Sequence, residues 1–247
     1  AIIEAQRVLQ GVQNICVDLC SGVGGASLGE LLSHAPGFSK LFNLEGEGSV
    51  PPKFYLVDSN AKALEVAAAN LPASTTCCKF EITEATPLPP ELELLASRGI
   101  RPVLLMAGSP CQPFSQLGLQ KGADDPRDAT SAVLAGIRRL DPLQVVIENV
   151  KNLEAFQQHL EGLCCELQRL GYWVHREIVQ CEYYGVPQRR TRLLLFASKL
   201  GFLSLPGPLP VSTLEQALRA PHRNSDPSLE VPPERLKQMH RFDGLSG

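Results

Sequence analysis

The chain has 247 residues, of which 44% are hydrophobic and 20% charged, with a formal net charge of −3 at pH 7. This length can bury a sizeable core, and no apolar run approaches the roughly 20 residues that a membrane-spanning helix needs. A slightly acidic chain is not a typical strong nucleic-acid binder. We therefore expect any such contact in the middle of the chain, where residues 101–199 carry 12 Lys and Arg against 10 Asp and Glu.

Cysteine spacing predicts the redox setting of the protein. The eight cysteines contain no Cys-x-x-Cys pair and no nearby His that would complete a zinc site. The start of the chain does not look like a signal peptide, and we expect no membrane segment. We therefore predict a reduced, intracellular protein without a structural metal.

A Gly-rich turn follows the first predicted strand, residues 14–19. Residues 20–25 read Cys-Ser-Gly-Val-Gly-Gly and open a predicted helix that runs to residue 32. Glycines let the backbone turn tightly and approach a ligand, and a helix start presents free N–H groups. The turn is not the dinucleotide-binding fingerprint, because position 27 is Ser. An ordinary strand-to-helix turn explains this segment equally well.

An acid ends the second predicted strand, residues 54–57. Asp58 is placed either to accept hydrogen bonds from ribose hydroxyls or to cap the helix predicted over residues 61–71. Ser59 and Asn60 are alternative caps for the same helix. A third strand over residues 76–80 leads to Glu81.

The fourth predicted strand ends in a cysteine flanked by prolines. The apolar run at residues 103–107 is followed by Gly-Ser-Pro-Cys-Gln-Pro, which places Cys111 just beyond the carboxyl end of a buried strand. A buried, inert thiol is the alternative. The polar loop at residues 116–128 contains Lys121 and Arg127, which could meet phosphates or simply face solvent. A helix follows from residue 130.

The fifth predicted strand, residues 145–147, ends in Glu148-Asn149-Val150. Burial of Glu148 there would raise its pKa and let it hold or donate a proton near neutrality. Asn149 can be read as the N-cap of the next helix. That helix carries one continuous apolar stripe from Leu153 to Leu170.

Basic residues lead into the last strand. After a strand over residues 173–179, the sequence Gln-Arg-Arg-Thr-Arg at 188–192 precedes a strand over 193–196. Arg190 and Arg192 are two residues apart, so they face the same side of an extended segment. Such arginines contact phosphates or form salt bridges.

Taken in order, these motifs resemble those of the cytosine-C5 DNA methyltransferases over about residues 14–200. The resemblance implies an α/β, Rossmann-like S-adenosylmethionine-dependent methyltransferase fold. Its doubly wound sheet would have about seven mostly parallel strands and a C-terminal antiparallel hairpin. Residues 1–200 would form the S-adenosylmethionine-binding catalytic domain. Residues 201–247 would form a linker and the start of an incomplete target-recognition region.

The same resemblance assigns roles to individual residues. Cys111 would attack C6 of cytosine, Glu148 would bind N3 and the amine, Arg192 would hold O2, and Arg190 would support the thiolate and a phosphate. The cofactor-binding positions would be Asp18, Cys20, Ser21, Gly22, Gly24, Gly25, Asp58, Ser59, Glu81, Ile82 and Pro110. The nucleic-acid-binding positions would be Ser115, Lys121, Arg127 and Gln188.

Several features depart from the family pattern or leave a choice open. Cys20 and Ser59 stand where the family usually has aromatic residues that pack against the cofactor. Glu81 is either an adenine contact or a solvent-exposed acid. The substrate would be DNA, with the base flipped out of the helix; transfer RNA and a non-catalytic binding module are the alternatives. A second chain could supply the missing C-terminal part. The protein would be nuclear in a eukaryote and cytoplasmic in a bacterium.

Overall fold

The computed structural model describes residues 8–34, 50–109, 129–203 and 205–211. Five of the predicted site residues lie outside these ranges: Pro110, Cys111, Ser115, Lys121 and Arg127. Most of the second predicted region, residues 212–247, also lies outside them.

Seven strands alternate with helices along the described chain. The strands are β1 Val12–Leu19, β2 Lys53–Asp58, β3 Thr76–Lys79, β4 Arg101–Gly108, β5 Gln144–Val150, β6 Trp173–Gln180 and β7 Thr191–Ser198. The α-helices are α1 Gly25–Ser33, α2 Ala61–Asn70, α3 Pro90–Ser97, α4 Thr130–Leu140 and α5 Gln157–Arg169. Two short 3₁₀ helices span Lys151–Ala155 and Cys181–Tyr184.

The strands form one sheet in the order β3-β2-β1-β4-β5-β7-β6. β1 to β5 pair in parallel, whereas β7 is antiparallel to both β5 and β6. The structure confirms the predicted mostly parallel, doubly wound α/β sheet with an antiparallel hairpin at its end. The insertion of β7 between β5 and β6 is additional information, because the sequence predicts only the hairpin itself.

Helices cover both faces of the sheet. On one face, β1, β4 and β5 pack with α3, α4 and α5 in the larger core, which includes the buried Leu105, Ile137 and Leu167. On the other face, α1 and α2 cover a smaller core that includes Phe54, Leu56 and Leu64. Alternating side chains therefore enter two different cores, as expected for strands covered on both sides.

The helix predicted from the stripe at Leu153–Leu170 is interrupted. At Phe156 the backbone leaves the helical region (φ −100°, ψ 58°), which divides the segment into a 3₁₀ helix and α5. Leu153 and Leu160, on either side of this break, are both buried in the larger core. The apolar stripe was read correctly, but sequence periodicity does not reveal a local change of backbone direction.

Among the described helices, none combines the length and apolar character that crossing a membrane requires.

Candidate active site

The candidate site lies where the sheet changes its winding direction. From β1 the chain proceeds outward to β2 and β3, then returns to β4, which pairs with the other side of β1. In open α/β sheets the crevice outside the carboxyl ends of two such strands is the usual ligand site. Here the Gly-rich turn (residues 20–25) leaves β1, and Ser109 continues from the end of β4.

A buried carboxyl group supports the Gly-rich turn from below. Asp18, near the end of β1, is only 1% exposed, and its Oδ2 accepts a hydrogen bond of 2.8 Å from Ser27 Oγ in the first turn of α1. Burial raises the pKa of Asp18 to about 6, although its hydrogen bonds from Ser27 act in the opposite direction. Asp18 therefore holds the start of α1 against β1.

A second carboxylate fastens the same turn from β2. Asp58 Oδ2 accepts a 2.8 Å hydrogen bond from the Gly22 N–H, and Oδ1 accepts one of 2.8 Å from the Asn60 N–H. The helix cap is Asn60, whose side chain accepts from the N–H groups of Lys62 and Ala63. Of the three candidates, Asp58 and Ser59 are therefore not the cap of α2. Ser59 is exposed beside them.

The Gly-rich turn contains one strained residue and one polar atom without a partner. Cys20 adopts a positive φ of 56°, which is uncommon for a residue with a side chain. Burial, followed by the nearby Asp58 and Asp18, raises the pKa of the Cys20 thiol to about 12, so the thiol stays neutral. The buried Ser21 Oγ has no hydrogen-bond partner among the described residues. A buried polar group of this kind indicates a ligand or water contact.

The three glycines of the turn meet different surroundings. A Cβ at Gly24 (φ +79°) would lie 3.0 Å from Ala67 Cβ and 3.2 Å from a Leu56 methyl group. At Gly22 and Gly25 the same atom would meet no described atom within 4 Å. Gly24 therefore packs on the protein, whereas Gly22 and Gly25 leave space that a ligand can enter.

The predicted adenine side of the site lies beyond β3. The Phe80 N–H donates to the Asp58 carbonyl oxygen at 3.0 Å, which keeps this segment beside the end of β2. Glu81 is exposed, and Ile82 packs partly against the larger core. Both residues lie on the same edge as the Gly-rich turn, but the structure does not choose between the two roles predicted for Glu81.

Glu148, at the end of β5, lies beside the two predicted arginines. Its Oε1 is 2.6 Å from Arg192 Nε and 3.8 Å from an Arg190 guanidinium nitrogen. The expectation of a buried acid at this position is wrong, because the Glu148 side chain is 39% exposed. This exposure leaves the carboxylate accessible to a substrate.

Strand register explains why these charges meet. In the antiparallel pair, Val150 lies opposite Arg192 and Glu148 lies opposite Leu194. Glu148 and Arg192 are therefore diagonal neighbours on one face of the sheet, a spacing that long side chains can bridge. Gln188 is exposed in the segment just before β7, near the start of the strand that carries Arg192.

Gly108, at the end of β4, lies between Glu148 and the Gly-rich turn. Gly108 of β4 is the register partner of Glu148, and a Cβ there would contact only the Cys20 carbonyl oxygen, at 3.6 Å, among the described atoms. Gly108 therefore lies between the Gly-rich turn, through the Cys20 carbonyl group, and Glu148.

The sequence reading missed a buried pair beneath this region. Asn149 Nδ2 donates a 3.0 Å hydrogen bond to Ser109 Oγ, and the two residues are 3% and 7% exposed. The interpretation of Asn149 as a helix N-cap is wrong, because the residue before the 3₁₀ helix is Val150 and no side chain caps it. The available signal was a polar residue near the end of each of two buried strands: Asn149 is the second-last residue of β5, and Ser109 directly follows β4.

The match to a family model decides the identity of the fold. The model for C-5 cytosine-specific DNA methylase matches residues 15–230. The chain belongs to this family.

Curated relatives agree with this assignment. The chain is 30% identical over 194 residues to the Type II methyltransferase M.NlaX of Neisseria lactamica, which covers 76% of this chain and 52% of that protein. It is 42% identical to the Type II methyltransferase M.AplI of Arthrospira platensis over 97 residues, 39% of this chain and 28% of that one. The chain thus spans about half the length of the relatives that it matches most broadly.

Solved structures show the same fold. A putative DNA modification methyltransferase from an Escherichia coli prophage superposes with a TM-score of 0.60 at 21% identity, covering 85% of this chain and 56% of that one. A mutant DNMT2 of Spodoptera frugiperda gives a TM-score of 0.54 at 22% identity, covering 81% and 57%.

The family implies S-adenosylmethionine, and the described residues fit it. The unpaired Ser21 Oγ, the open space at Gly22 and Gly25, and the acidic Asp58 suit a ligand that carries hydroxyl, amino and sulfonium groups. Among the described residues, no group of three His, Cys, Asp or Glu side chains is placed to hold a metal ion.

Proposed function

We propose that this chain acts in the transfer of a methyl group from S-adenosylmethionine to C5 of cytosine in DNA, with Cys111 as the nucleophile. The observation that carries the proposal is the contact of Glu148 with Arg192 beside the Gly-rich turn. Glu148 and Arg192 offer an acid and a cation that can bind the polar edge of a pyrimidine. They lie at the same sheet edge as residues that fit the cofactor.

The first proposed step needs a thiolate. Cys111 would add to C6 of the flipped-out cytosine, forming an S–C6 bond as the C5–C6 double-bond electrons move to C5. In this proposal Arg190 supplies the cation that favours the thiolate form of Cys111. A free thiol is required, and the seven described cysteines are all free, which suits a reduced, intracellular setting.

Glu148 and Arg192 would stabilise the ring as charge develops. Glu148 would bind N3 and the exocyclic amine, while Arg192 would hold O2. Arg192, at 22% exposure, would keep the carboxylate aimed as the base enters.

When bound, S-adenosylmethionine would supply an electrophilic methyl group; its S–CH3 bond would break, leaving S-adenosylhomocysteine as the second product. The Gly-rich turn would hold the cofactor, with Asp58 facing its ribose and Ser21 making a polar contact. After C5 has taken the methyl group, the proton on C5 leaves to a base or water. The C6–S bond then breaks and returns Cys111 as a thiolate.

The greater length of the matched relatives supports a further part of the proposal. The target-recognition function expected to begin within residues 201–247 would be completed by additional protein, in the same polypeptide or in a second chain. Contacts of Ser115, Lys121, Arg127 and Gln188 with the nucleic acid belong to this proposal.

Covalent trapping tests the function. 5-Fluorocytosine carries fluorine where the C5 proton must leave, so the adduct persists and can be seen as a shifted band and by mass spectrometry. We expect the full-length protein with S-adenosylmethionine to trap fluorinated duplex DNA at Cys111, and Cys111→Ser to trap none. Glu148→Gln should slow trapping by about 10²-fold or more. Arg176→Ala, which alters an exposed ion pair with Glu161, is the control.

Each outcome of this experiment has a defined meaning. Trapping of fluorinated transfer RNA but not of DNA would replace the proposed substrate with RNA. The absence of any adduct, with cofactor binding retained, would overturn the catalytic proposal in favour of a binding module.

A further inference from the structure

The described chain buries very few polar side chains, and they form a pattern. The buried polar or charged residues are Asp18, Ser27, Ser109, Asn149 and Ser198. Four of them form two hydrogen-bonded pairs, Asp18 with Ser27 and Ser109 with Asn149. Both pairs lie at the carboxyl edge of the central strands, directly beneath the candidate site. Buried polar pairs are conformationally specific because each group needs its partner.

The orientation of the Asn149 amide follows from its two bonds. Its Oδ1 accepts from the Val150 N–H at 2.8 Å, so Nδ2 is the group that faces Ser109. Ser109 Oγ accepts this bond and keeps its own proton for donation. The amide thus joins the end of β5 to the residue that follows β4.

Pleat alternation separates this pair from the substrate side. Glu148 lies on the face of the smaller core, whereas Asn149, like Val145 and Ile147, is directed to the larger core. The two adjacent residues at the end of β5 therefore have different contacts. Glu148 faces Arg192, whereas Asn149 donates a hydrogen bond to Ser109, the residue that follows the neighbouring strand β4.

We propose that Asn149 is a positioning residue, which fixes Ser109 and thereby the point at which the chain leaves β4, two residues before Cys111. The inference rests on the proposed role of Cys111 as the nucleophile. Small errors in the placement of a reacting group have large effects on rate. A buried hydrogen bond directly before the nucleophile would limit such errors.

Two side-chain truncations test the inference, and a third variant serves as the control. Ser109→Ala removes the acceptor, and Asn149→Ala removes the donor. Ser198→Ala is the matched control, because Ser198 is also fully buried and its Oγ accepts from the Leu200 N–H at the far end of β7. Each full-length variant is assayed for thermal unfolding, affinity for S-adenosylmethionine and single-turnover trapping of 5-fluorocytosine DNA.

We expect Ser109→Ala and Asn149→Ala to slow trapping by about tenfold to a hundredfold, with cofactor affinity unchanged. The double variant should be no slower than the slower single variant, because both remove one shared bond. Ser198→Ala should lose stability without losing rate. Trapping by Ser109→Ala at the wild-type rate, or losses that multiply in the double variant, would overturn the inference.

A second measurement keeps the inference separate from the proposed function. The rate of Cys111 alkylation by iodoacetamide at pH 7, followed by peptide mass spectrometry, needs no methyl transfer. We expect Ser109→Ala to lower this alkylation rate by about threefold or more, because Cys111 would no longer be held where a cation favours its thiolate form, and Ser198→Ala to leave the rate unchanged. Equal rates in all three proteins would count against the positioning role even if trapping fails altogether.

Discussion

At the scale of single residues, Asp18 near the end of β1 stabilises the Gly-rich turn of the candidate site. The sequence analysis assigned it to the cofactor, yet its carboxyl group is buried and bonded to Ser27. Direct contact with a ligand remains a prediction, whereas support of the Gly-rich turn is visible. Such support has a cost, because burial of the ionised carboxylate is unfavourable.

Asp18→Asn should change how stability depends on pH. The ordinary pKa of 3.8 is raised to about 6 in the folded chain, so the folded state binds the Asp18 proton more tightly than the unfolded state. The resulting stability is complete below about pH 4 and lost as pH rises through 6, up to about 3 kcal/mol. Asparagine keeps an oxygen for Ser27 and does not titrate.

Urea unfolding at a series of pH values measures this effect. We expect the difference in free energy of unfolding, Asp18→Asn minus wild type, to rise between pH 4 and 6 and to level off above pH 7. Parallel curves for the two proteins would show that the folded chain does not hold the Asp18 proton.

At the scale of elements, the Gly-rich turn combines two demands in adjacent residues. Gly24 closes the turn against α2 and β2 with a left-handed backbone, while Gly25 begins α1 and faces open space. Composition alone treats these glycines alike. Only the packing of α2 against β2 shows that one is a structural requirement and the other a feature of the surface.

Gly24→Ala and Gly25→Ala form a matched pair of variants. Gly24→Ala should lower the free energy of unfolding by about 1–3 kcal/mol, because it adds left-handed strain and a contact 3.0 Å from Ala67. Gly25→Ala should be neutral or stabilising by up to about 1 kcal/mol, since alanine favours a helix. Urea denaturation without cofactor measures both. Equal losses would contradict the packing assigned to Gly24.

At the scale of the whole molecule, Arg101 joins distant parts of the chain at the edge of the sheet opposite the site. Its guanidinium donates to the carbonyl oxygens of Val8 and Gln10 and, through Nε, to the Asp141 carbonyl oxygen at 2.8 Å. The Asp141 carboxylate also pairs with Arg101 and with Lys199. The starts of β1, β4 and β5 and the end of β7 are thus tied together.

Arg101→Ala should therefore lower the free energy of unfolding by about 2–3 kcal/mol, because several carbonyl groups lose a charged donor. Arg176→Ala is the control, since its pair with Glu161 is about half exposed on both sides and should be worth less than about 1 kcal/mol. Thermal and urea unfolding measure both variants. A loss at Arg101 no larger than that at Arg176 would contradict the linking role.

Much of the element order was predictable from local patterns. The apolar face of α4 with Val133, Leu134, Ile137 and Leu140 is buried as its periodicity predicts. Parallel strands also bring their carboxyl ends to one edge, so the acids at the ends of β2 and β5 were expected there. The break at Phe156 and the exposure of Glu148 were not predicted, since both depend on how neighbouring elements pack.

The sequence by itself determined the family, the strands and helices, and the chemistry of the residues that follow the strands, because these are properties of local pattern and motif order. The tertiary structure decided that β7 enters between β5 and β6, which sets Arg192 beside Glu148. It also decided that Asn149 reaches Ser109 rather than a helix end. Residues 40 or more positions apart meet only through strand pairing, and no local pattern encodes a register between distant strands.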